Sequence, residues 1–583
     1  MAALPRPGVF SSAVNKLKGL KVLLISDAKN SFTNRVEQTL LWLKAEVDSV
    51  ATRKGKEMIS AASHYNPEII VCPFLTARVP EAVWNNKERP CLIVHPGIAG
   101  DRSLSAIDLA LLSGQSEWGV TVLQAVKEMD TGDIWSTSNY PVEKDATKTS
   151  LYVGQFSDAA VSTVLDALCR FQDKIPPTPL DYNHPEVKGC LQKTLTDADR
   201  TVDWTKSAED VLRMIRMSDT QPGAVGEIFH QSLSDKVFRL YDGHLETGES
   251  SEAIRTRLSA CKPGEIVGKR NQAVLVKTGD GKGVWIGCMK KNESDHPELK
   301  LPATLALPKQ CVHDIDTISG RCDYNNIWVQ KADSIGYVHF DFYNGAMDKH
   351  GCERLEQALD DVAKMEDIKL VALMGGDRFF STGIHLSVIE GSENREQEAR
   401  ENISKIHNVI KRIAMFNDKM TVAVLQGNAG AGGVMMAAAA DIVITHPGTL
   451  LTSSYKNMHL FGSEYWTYLF PRQVGSNKAY QLIYNEEPLL AERAKDANLV
   501  DFILGGNKAE FRKRLPNFLK CLRNSEMFEK TLRKKQFMRN KIWQDILASH
   551  EKLELHQMRK NFRSSEFADS LRKFVYHLEK QFC

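Results

Sequence analysis

Two residues in the first third of the chain have the types and the spacing of a general acid–base pair. His95 closes an apolar run that begins at Cys91, and Asp130 stands farther along, just before a glycine turn. An imidazole can stabilise a tetrahedral intermediate and move a proton, while a carboxylate orients the imidazole or relays the proton to a leaving nitrogen. The pair therefore favours acyl transfer from an amine, and a purely structural histidine is the alternative.

Two glycine-containing segments in the second half of the chain have the composition of an oxyanion hole. They are Phe379-Phe-Ser-Thr-Gly383-Ile384 and Gln426-Gly-Asn-Ala-Gly-Ala-Gly432, and the second leads into an Ala-rich stretch. Glycine lets the backbone approach closely, and the start of a helix directs N–H groups at an oxygen. The segments favour binding of a thioester carbonyl, and the alternative is a helix packed tightly on a sheet.

A series of parallel strands is predicted to position the first pair. Short apolar runs at 21–26, 68–72 and 91–94 are separated by helical intervals, which is a βαβα pattern. Such strands form a parallel sheet that is covered on both faces, with its crevice at the carboxyl ends of the strands. His95 is therefore predicted to lie at the mouth of that crevice.

The rest of the chain predicts a small β-rich module, a second α/β unit and a helical tail. Short strands with glycine turns lie between 259 and 290, and a new βα pattern begins near 335. From about 508 to 582 the periodicity is helical, with an excess of Lys and Arg. The predicted domains are 1–200, 201–305, a linker at 306–330, 331–505 and 506–583.

Composition and charge exclude several classes of protein. The chain has 583 residues, and its 42% hydrophobic and 25% charged residues are typical of folded domains. Its 75 basic and 73 acidic residues create no field that would attract nucleic acid or an anionic membrane. Eleven cysteines without a Cys-x-x-Cys pair predict reduced thiols and no metal site. The opening residues lack the apolar core of a signal peptide, so a cytoplasmic protein is expected.

The first half resembles the formyltetrahydrofolate-dependent formyltransferases over most of residues 20–200. The strings that carry this resemblance are His95 itself, Trp118-Gly-Val-Thr and Met129-Asp-Thr-Gly-Asp-Ile, and Asp203-Trp204 with Gln221-Pro-Gly-Ala extends it to about residue 300. The resemblance implies that His95 and Asp130 are catalytic. It also implies that Pro73, Phe74 and Leu75 lie near the folate.

One position departs from the formyltransferase pattern. Those enzymes usually have an Asn two residues before the histidine, where its amide helps to hold the formyl oxygen, and here the residue is Ile93. Loss of such a donor typically costs ~100-fold in rate. Ser26, Arg102 or a backbone N–H group is the candidate replacement, and a domain that no longer catalyses transfer is the alternative.

The second half resembles the crotonase or enoyl-CoA hydratase/isomerase superfamily over about residues 335–505. The two glycine segments carry the resemblance, together with Val474-Gly475 and the segment 491–500. It implies that the backbone N–H groups of Ile384 and Gly432 form the oxyanion hole.

Hydratase chemistry is nevertheless not expected from this half. Hydratases add water with two glutamates, and the matching positions are Met435 and Tyr455. The segment that follows offers a phenol and an acid instead, at Tyr455 and Glu464. The alternatives are a packed aromatic for Tyr455 and a helix-capping partner for Glu464.

The two halves together resemble the HypX family of hydrogenase-maturation proteins over nearly the whole chain. The strings that carry this resemblance are Cys72-Pro-Phe-Leu, Val94-His-Pro-Gly-Ile, Gly100-Asp-Arg, Trp118-Gly-Val-Thr-Val-Leu-Gln-Ala, Glu128-Met-Asp-x-Gly-Asp-Ile-Trp, Tyr455-Lys-Asn-Met and Gly462-Ser-Glu-Tyr-Trp-Thr-Tyr-Leu. In that family an apolar residue at the position of Ile93 is usual. The chain departs from the family at Ser103-Leu104, where Gly-Pro is expected, and in a stretch before Glu464 that is one residue shorter.

This family resemblance implies two reactions that end in carbon monoxide. The formyl group passes from 10-formyltetrahydrofolate to the thiol of coenzyme A, and formyl-CoA then decarbonylates. Glu464 would remove the formyl proton, and Tyr455 would return a proton to the departing sulfur. Arg559 and Arg563 would bind the phosphates of coenzyme A. Hydrogenase-maturation proteins are candidate partners.

Three other functions stay open at this point. One is a folate- and CoA-binding scaffold that has lost its chemistry, and another is a formyltetrahydrofolate hydrolase whose second half only senses acyl-CoA. A formyltransferase acting on initiator tRNA is the weakest, because the neutral net charge offers little affinity for phosphates.

Overall fold

The chain forms two compact units that divide after Tyr324. The structure is a computed structural model and describes residues 13, 15–234, 236–249, 251–292, 298–538 and 540–576. The division lies inside the segment 306–330, and Cys311 in that segment is buried in the core of the first unit. Among these described residues, no helix has both the length and the apolar character needed to cross a membrane.

The first unit opens with a six-stranded sheet and its covering helices. The strands are β1 (Lys21–Ser26), β2 (Glu46–Ala51), β3 (Ile69–Cys72), β4 (Cys91–His95), β5 (Glu117–Gln124) and β6 (Ile134–Pro141). The helices are α1 (Ser31–Trp42), α2 (Gly55–Tyr65), α3 (Glu81–Trp84), α4 (Ala106–Leu112), α5 (Lys148–Leu151) and α6 (Ser157–Gln172).

The strand order of this sheet is β2-β1-β3-β4-β5-β6. Strands β1 to β4 are parallel, whereas β5 is antiparallel to β4 and to β6. Along β1, Leu24 faces a core with α1 and α6, and Ile25 faces a core with α2. The strands are apolar throughout because both faces are buried. The predicted α/β sheet is confirmed, with an antiparallel edge.

A β-rich module completes the first unit. Its strands are β7 (Ala224–Glu227), β8 (Val237–Glu246), β9 (Ile266–Arg270), β10 (Ala273–Lys277), β11 (Gly283–Lys291) and β12 (Leu301–Pro302). Its helices are α7 (Ala208–Ser218), α8 (Glu252–Ala260), α9 (Ala303–Ala306) and α10 (Lys309–Asp314). The sheet is antiparallel, in the order β7-β8-β11-β10-β9, and β12 pairs with β11.

The second unit contains twelve further strands within the described residues. They are β13 (Ile327–Ala332), β14 (Ile335–Phe340), β15 (Ala346–Met347), β16 (Leu370–Met374), β17 (Phe379–Ser381), β18 (Gly383–Ile384), β19 (Met420–Leu425), β20 (Asn428–Gly430), β21 (Ile442–Thr445), β22 (Leu450–Thr452), β23 (Leu489–Leu490) and β24 (Phe502–Ile503). The larger sheet has the order β13-β14-β16-β19-β21-β24, and a smaller sheet has the order β17-β20-β22-β23.

The helices of the second unit cover both faces of its larger sheet. They are α11 (Lys349–Lys364), α12 (Leu386–Gly391), α13 (Arg395–Met415), α14 (Gly432–Ala438), α15 (Trp466–Val474), α16 (Ser476–Asn485), α17 (Ala491–Asp496), α18 (Lys508–Arg523), α19 (Glu526–Met538), α20 (Lys541–Phe562) and α21 (Ser565–Tyr576). Phe511 and Phe528 of the predicted helical tail pack on one face of the sheet, whereas Leu547 and Met558 join the core of the other. The tail is thus part of the core.

Candidate functional sites

The first site is built around His95, at the carboxyl end of β4. The imidazole is only 4% exposed and lies between two carboxylates. Its Nε2 is 2.8 Å from Asp101 Oδ2, and its Nδ1 is 3.6 Å from Asp130 Oδ2. The structure therefore brings together the predicted pair and adds Asp101, which we did not predict as a site residue. A carboxylate in hydrogen-bond contact with one ring nitrogen fixes the orientation of the imidazole.

Asp130 lies in the turn between β5 and β6 and is largely buried. Its backbone has a φ of 57°, in the left-handed region. Burial raises the pKa of Asp130, while the nearby His95 ring counteracts part of that rise. The carboxyl group therefore keeps its proton to a higher pH than an exposed aspartate, which suits a group that exchanges protons with a reacting nitrogen.

A cavity of about 180 Å³ opens beside His95 and Asp130. Its lining includes Pro73, Phe74 and Leu75 from the loop after β3, Ile93 from β4, Met129 from the turn after β5, and Tyr152, which follows α5. The side chain at Ile93 is apolar, so it supplies no amide to a ligand in this cavity. The lining is mostly apolar with a few polar groups, which is typical of a small-molecule site.

Ser26 and Arg102 are the two other residues predicted for folate binding. Ser26 ends β1 and is 2% exposed, and its carbonyl accepts the N–H of Thr52. Arg102 donates to the carboxylate of Glu128 at 2.6 Å, and Glu128 is a lining residue of the cavity. Their roles stay predictions.

The second site contains a buried phenol–carboxylate pair. Tyr455 Oη donates to Glu464 Oε2 at 2.9 Å, and both side chains are at most 3% exposed. The same Oε2 accepts from the backbone N–H of Ser463 at 3.1 Å and from its hydroxyl at 2.7 Å. Three donors thus engage one carboxylate oxygen and leave Oε1 as the oxygen that faces another part of the site.

Glu464 Oε1 faces the glycine turn at the start of α14. A Cβ placed on Gly432 would lie 2.3 Å from that oxygen, and one placed on Gly383 would lie 3.0 Å from the backbone nitrogen of Gly432. The structure therefore brings β18, which carries Ile384, next to the first residue of α14. The first N–H groups of a helix have no intrahelical acceptor, so this turn suits a carbonyl oxygen.

Burial sets the proton affinities of the pair. It raises the pKa of Glu464 and raises the pKa of Tyr455 well above its ordinary value. Tyr455 therefore keeps its proton near neutral pH, and an ionised Glu464 is a stronger base than an exposed glutamate. Met435, at the position of a hydratase glutamate, is fully buried in α14 and offers only a thioether.

A cleft of about 840 Å³ in the second unit contains Arg559 and Arg563, the two residues predicted to bind coenzyme A. Arg563 Nε lies 2.8 Å from the carboxylate of Glu396, so part of its charge is already balanced. Arg400 and Lys405 line the same cleft. Three glutamates also line the cleft and lie within ion-pair distance of several of these cations; they are Glu353, Glu396 and Glu401. The arginine side chains suit phosphate groups.

Sequence models of known families match both units. The formyl transferase model matches residues 16–168, and the model of the formyl transferase C-terminal domain matches residues 194–298. The enoyl-CoA hydratase/isomerase model matches residues 330–583. Fold and sites thus define a formyltransferase-like unit followed by a crotonase-like unit, as predicted.

Individual relatives narrow this class to one family. The hydrogenase maturation factor HoxX of Bradyrhizobium diazoefficiens is 34% identical over 490 residues, which are 84% of this chain and 82% of the relative. The crystal structure of HypX from Aquifex aeolicus in complex with tetrahydrofolic acid is 32% identical, with a TM-score of 0.88 over 96% of each chain. The methionyl-tRNA formyltransferase of Akkermansia muciniphila is 24% identical and matches only 42% of this chain. The chain belongs to the HypX family.

Proposed function

We propose that this protein transfers the formyl group of 10-formyltetrahydrofolate to the thiol of coenzyme A and then decarbonylates formyl-CoA to carbon monoxide and coenzyme A. The buried Tyr455–Glu464 pair against the glycine turn is the observation that carries the proposal. This pair replaces the two glutamates of a hydratase with one acid and one phenol that share a proton path. The tetrahydrofolate bound by the Aquifex relative supports a folate substrate for the first unit.

In the first reaction, the thiol sulfur attacks the formyl carbon and N10 of the folate leaves. His95 moves the proton from the thiol towards N10, with its ring oriented by Asp101. Asp130, whose pKa is raised by burial, supplies or relays the proton that N10 takes as it departs. The products are tetrahydrofolate and formyl-CoA, so the step needs no oxidant or reductant.

In the second reaction, Glu464 Oε1 takes the formyl proton and the electron pair of that C–H bond stays on carbon. The C–S bond then breaks with its pair on sulfur, which leaves carbon monoxide. Tyr455, whose hydroxyl donates to Glu464 Oε2 at 2.9 Å, protonates the thiolate, and the proton that Glu464 has taken then restores the phenol. The backbone N–H groups of Ile384 and Gly432 bind the carbonyl oxygen while this happens. Atoms and charge balance without a further cofactor.

The coenzyme A phosphates are assigned to the cleft that contains Arg559 and Arg563. Arginine binds phosphate in a bidentate manner, and its charge persists at every relevant pH. We further propose that the carbon monoxide serves hydrogenase maturation, because the Bradyrhizobium relative is a hydrogenase maturation factor. Proteins of that process are then the expected partners.

The test is product analysis of the purified wild-type protein. With 10-formyltetrahydrofolate and coenzyme A in a sealed anaerobic cuvette, we expect tetrahydrofolate and carbon monoxide, the gas being read from the spectral shift of an added haem protein. Free formate without carbon monoxide would replace the proposal with a hydrolase. Binding of both ligands without turnover would replace it with a scaffold. Crotonyl-CoA, as a control, is expected to show no hydration.

A further inference from the structure

The backbone that carries Glu464 has a conformation that needs external support. Glu464 and Tyr465 are consecutive non-glycine residues with positive φ, at 66° and 61°. The left-handed region is unfavourable for residues with a Cβ, and such residues persist there only where neighbouring groups hold them. From this turned backbone, the side chain of Glu464 directs Oε1 at Gly432.

Two buried side chains from separate helices hold this segment. His407 of α13 accepts the N–H of Glu464 at its Nε2, at 3.1 Å. Glu554 of α20 accepts the N–H of Tyr465 at 2.7 Å with one oxygen and the N–H of Thr467 at 2.8 Å with the other. Both holding side chains are 0% exposed. Residues 464–467 are thus supported by side chains that are distant from them in the sequence.

His407 is a neutral acceptor in this contact, and the hydrogen bonds to Glu554 oppose the effect of its burial. His407 accepts at Nε2, which places its ring proton on Nδ1, and burial lowers the pKa of His407 to about 4, so the ring is neutral near pH 7. Burial raises the pKa of Glu554 to about 8, while its hydrogen bonds from Thr467 and Tyr465 act against that rise. His407 Nε2 and Glu554 Oε2 are 3.8 Å apart.

We propose that His407 and Glu554 are positioning residues for the second site, which fix the backbone at 464–467 so that Glu464 presents Oε1 to the glycine turn. The helix α20 of the C-terminal region is then part of the catalytic apparatus and not only a cover of the core. The inference rests on the proposed function, since it takes Glu464 as the base for formyl-CoA.

Matched variants of His407 separate positioning from bulk packing. His407→Gln keeps an acceptor close to Nε2, whereas His407→Phe keeps a ring of similar shape and loses the acceptor. With formyl-CoA supplied directly, we expect His407→Phe to lower kcat for carbon monoxide by about 30-fold with KM within twofold, because small misplacements of reacting groups cost up to ~100-fold. His407→Gln should recover kcat to within about threefold of wild type by the same reasoning.

The variant Glu554→Gln tests the second positioning residue. It places an amide NH₂ against one of the backbone N–H groups of the segment, so we expect a loss of kcat of about tenfold. Glu529→Gln is the matched control, because Glu529 is an exposed glutamate on α19. It should leave kcat unchanged.

Amide hydrogen exchange gives a readout that does not depend on the reaction. We expect His407→Phe and Glu554→Gln to increase exchange in the peptide covering 462–470, with β16 and β19 as protected as in wild type. Wild-type kcat and unchanged exchange in both variants would overturn the inference. The inference would also be overturned if His407→Phe increased amide exchange throughout the second unit and His407→Gln did not restore the protection. That result would indicate a general structural role for His407. If the wild-type protein makes no carbon monoxide, the proposed function fails, and exchange at 462–470 alone decides whether these residues hold the segment.

Discussion

The two sites of this protein are constructed in different ways. In the first unit, His95, Asp101 and Asp130 lie within 36 residues of one another, and a cavity opens beside them. His95 ends β4, whereas Asp130 lies in the turn after β5, which is antiparallel and ends beside the start of β4. In the second unit, the pair Tyr455 and Glu464 is buried and depends on α13, α14 and α20, whose contributing residues span more than a hundred positions.

The two kinds of site should respond differently to substitutions in their surroundings. His95 takes its position from the sheet, because it ends a strand whose register is set by the core, and Asp101 and Asp130 reach it from the turns that follow β4 and β5. A site on a loop with left-handed residues depends on individual hydrogen bonds to that loop. The first site should therefore fail mainly when its own side chains change, whereas the second should also fail when its supports change.

The largest expected effect is that of Glu464→Gln on the second reaction. Because the amide cannot take the formyl proton, carbon monoxide release from formyl-CoA should fall by about 1,000-fold, within the range for loss of a general base. Formation of tetrahydrofolate with coenzyme A as acceptor should stay within about threefold of wild type, since the first site is unaltered. A parallel loss of both activities would show that the sites do not act separately.

His95→Ala should impair the first reaction and spare the second, and the loss of rate should be smaller than for Glu464→Gln. Loss of the imidazole should lower tetrahydrofolate formation by ~100-fold, while carbon monoxide release from added formyl-CoA stays at the wild-type rate. Both rates are measured on the same preparation, so unfolding is recognised as a loss of both. A folate rate within about threefold of wild type would remove His95 from the catalytic residues.

The pH dependence of carbon monoxide release should distinguish the role of Tyr455 from that of Glu464. Burial raises the pKa of Glu464, and the hydrogen bond from Tyr455 lowers it in part. The base is active only when ionised, so the rate should fall as the pH drops through a pKa above the ordinary value of 4.5. Tyr455→Phe removes the stabilising donor and should move this acidic limb to higher pH.

A profile of kcat against pH for wild type and Tyr455→Phe measures this displacement. Because the phenol also protonates sulfur, the maximal rate of the variant should be lower by ~10- to 100-fold. An acidic limb at the same pH in both proteins would contradict the hydrogen bond as a determinant of the pKa of Glu464.

The smallest effect on activity is expected for a substitution in the cleft of the second unit that contains Arg559. Arg559→Ala should raise KM for coenzyme A by about tenfold and leave kcat near the wild-type value, because a phosphate contact far from the thioester contributes equally to ground and transition states. Initial rates at varied coenzyme A concentration measure both constants. An unchanged KM would place the phosphates elsewhere.

Much of the fold followed from the sequence. Apolar runs without polar alternation, separated by helical intervals, predicted the parallel strands β1, β3 and β4, because strands buried on both faces need such composition. The antiparallel pairing of β5 and β6 was not predicted, since an edge with one exposed partner has no equally clear pattern. The helical tail was predicted from periodicity, but its burial on both faces of the second sheet was not.

The amino-acid sequence predicted which residues carry the chemistry, whereas only the folded chain shows how those side chains are oriented. Types and spacing pointed to His95 and Asp130, because an apolar strand and a glycine turn leave local signatures, and the family resemblance pointed to Tyr455 and Glu464. No local signature connects Asp101 to the Nε2 of His95, or His407 and Glu554 to the backbone beside Glu464. Those contacts join helices and loops that pack against one another across the core. The periodicity of a sequence predicts which face of a helix is buried, but it does not predict which residues that face contacts.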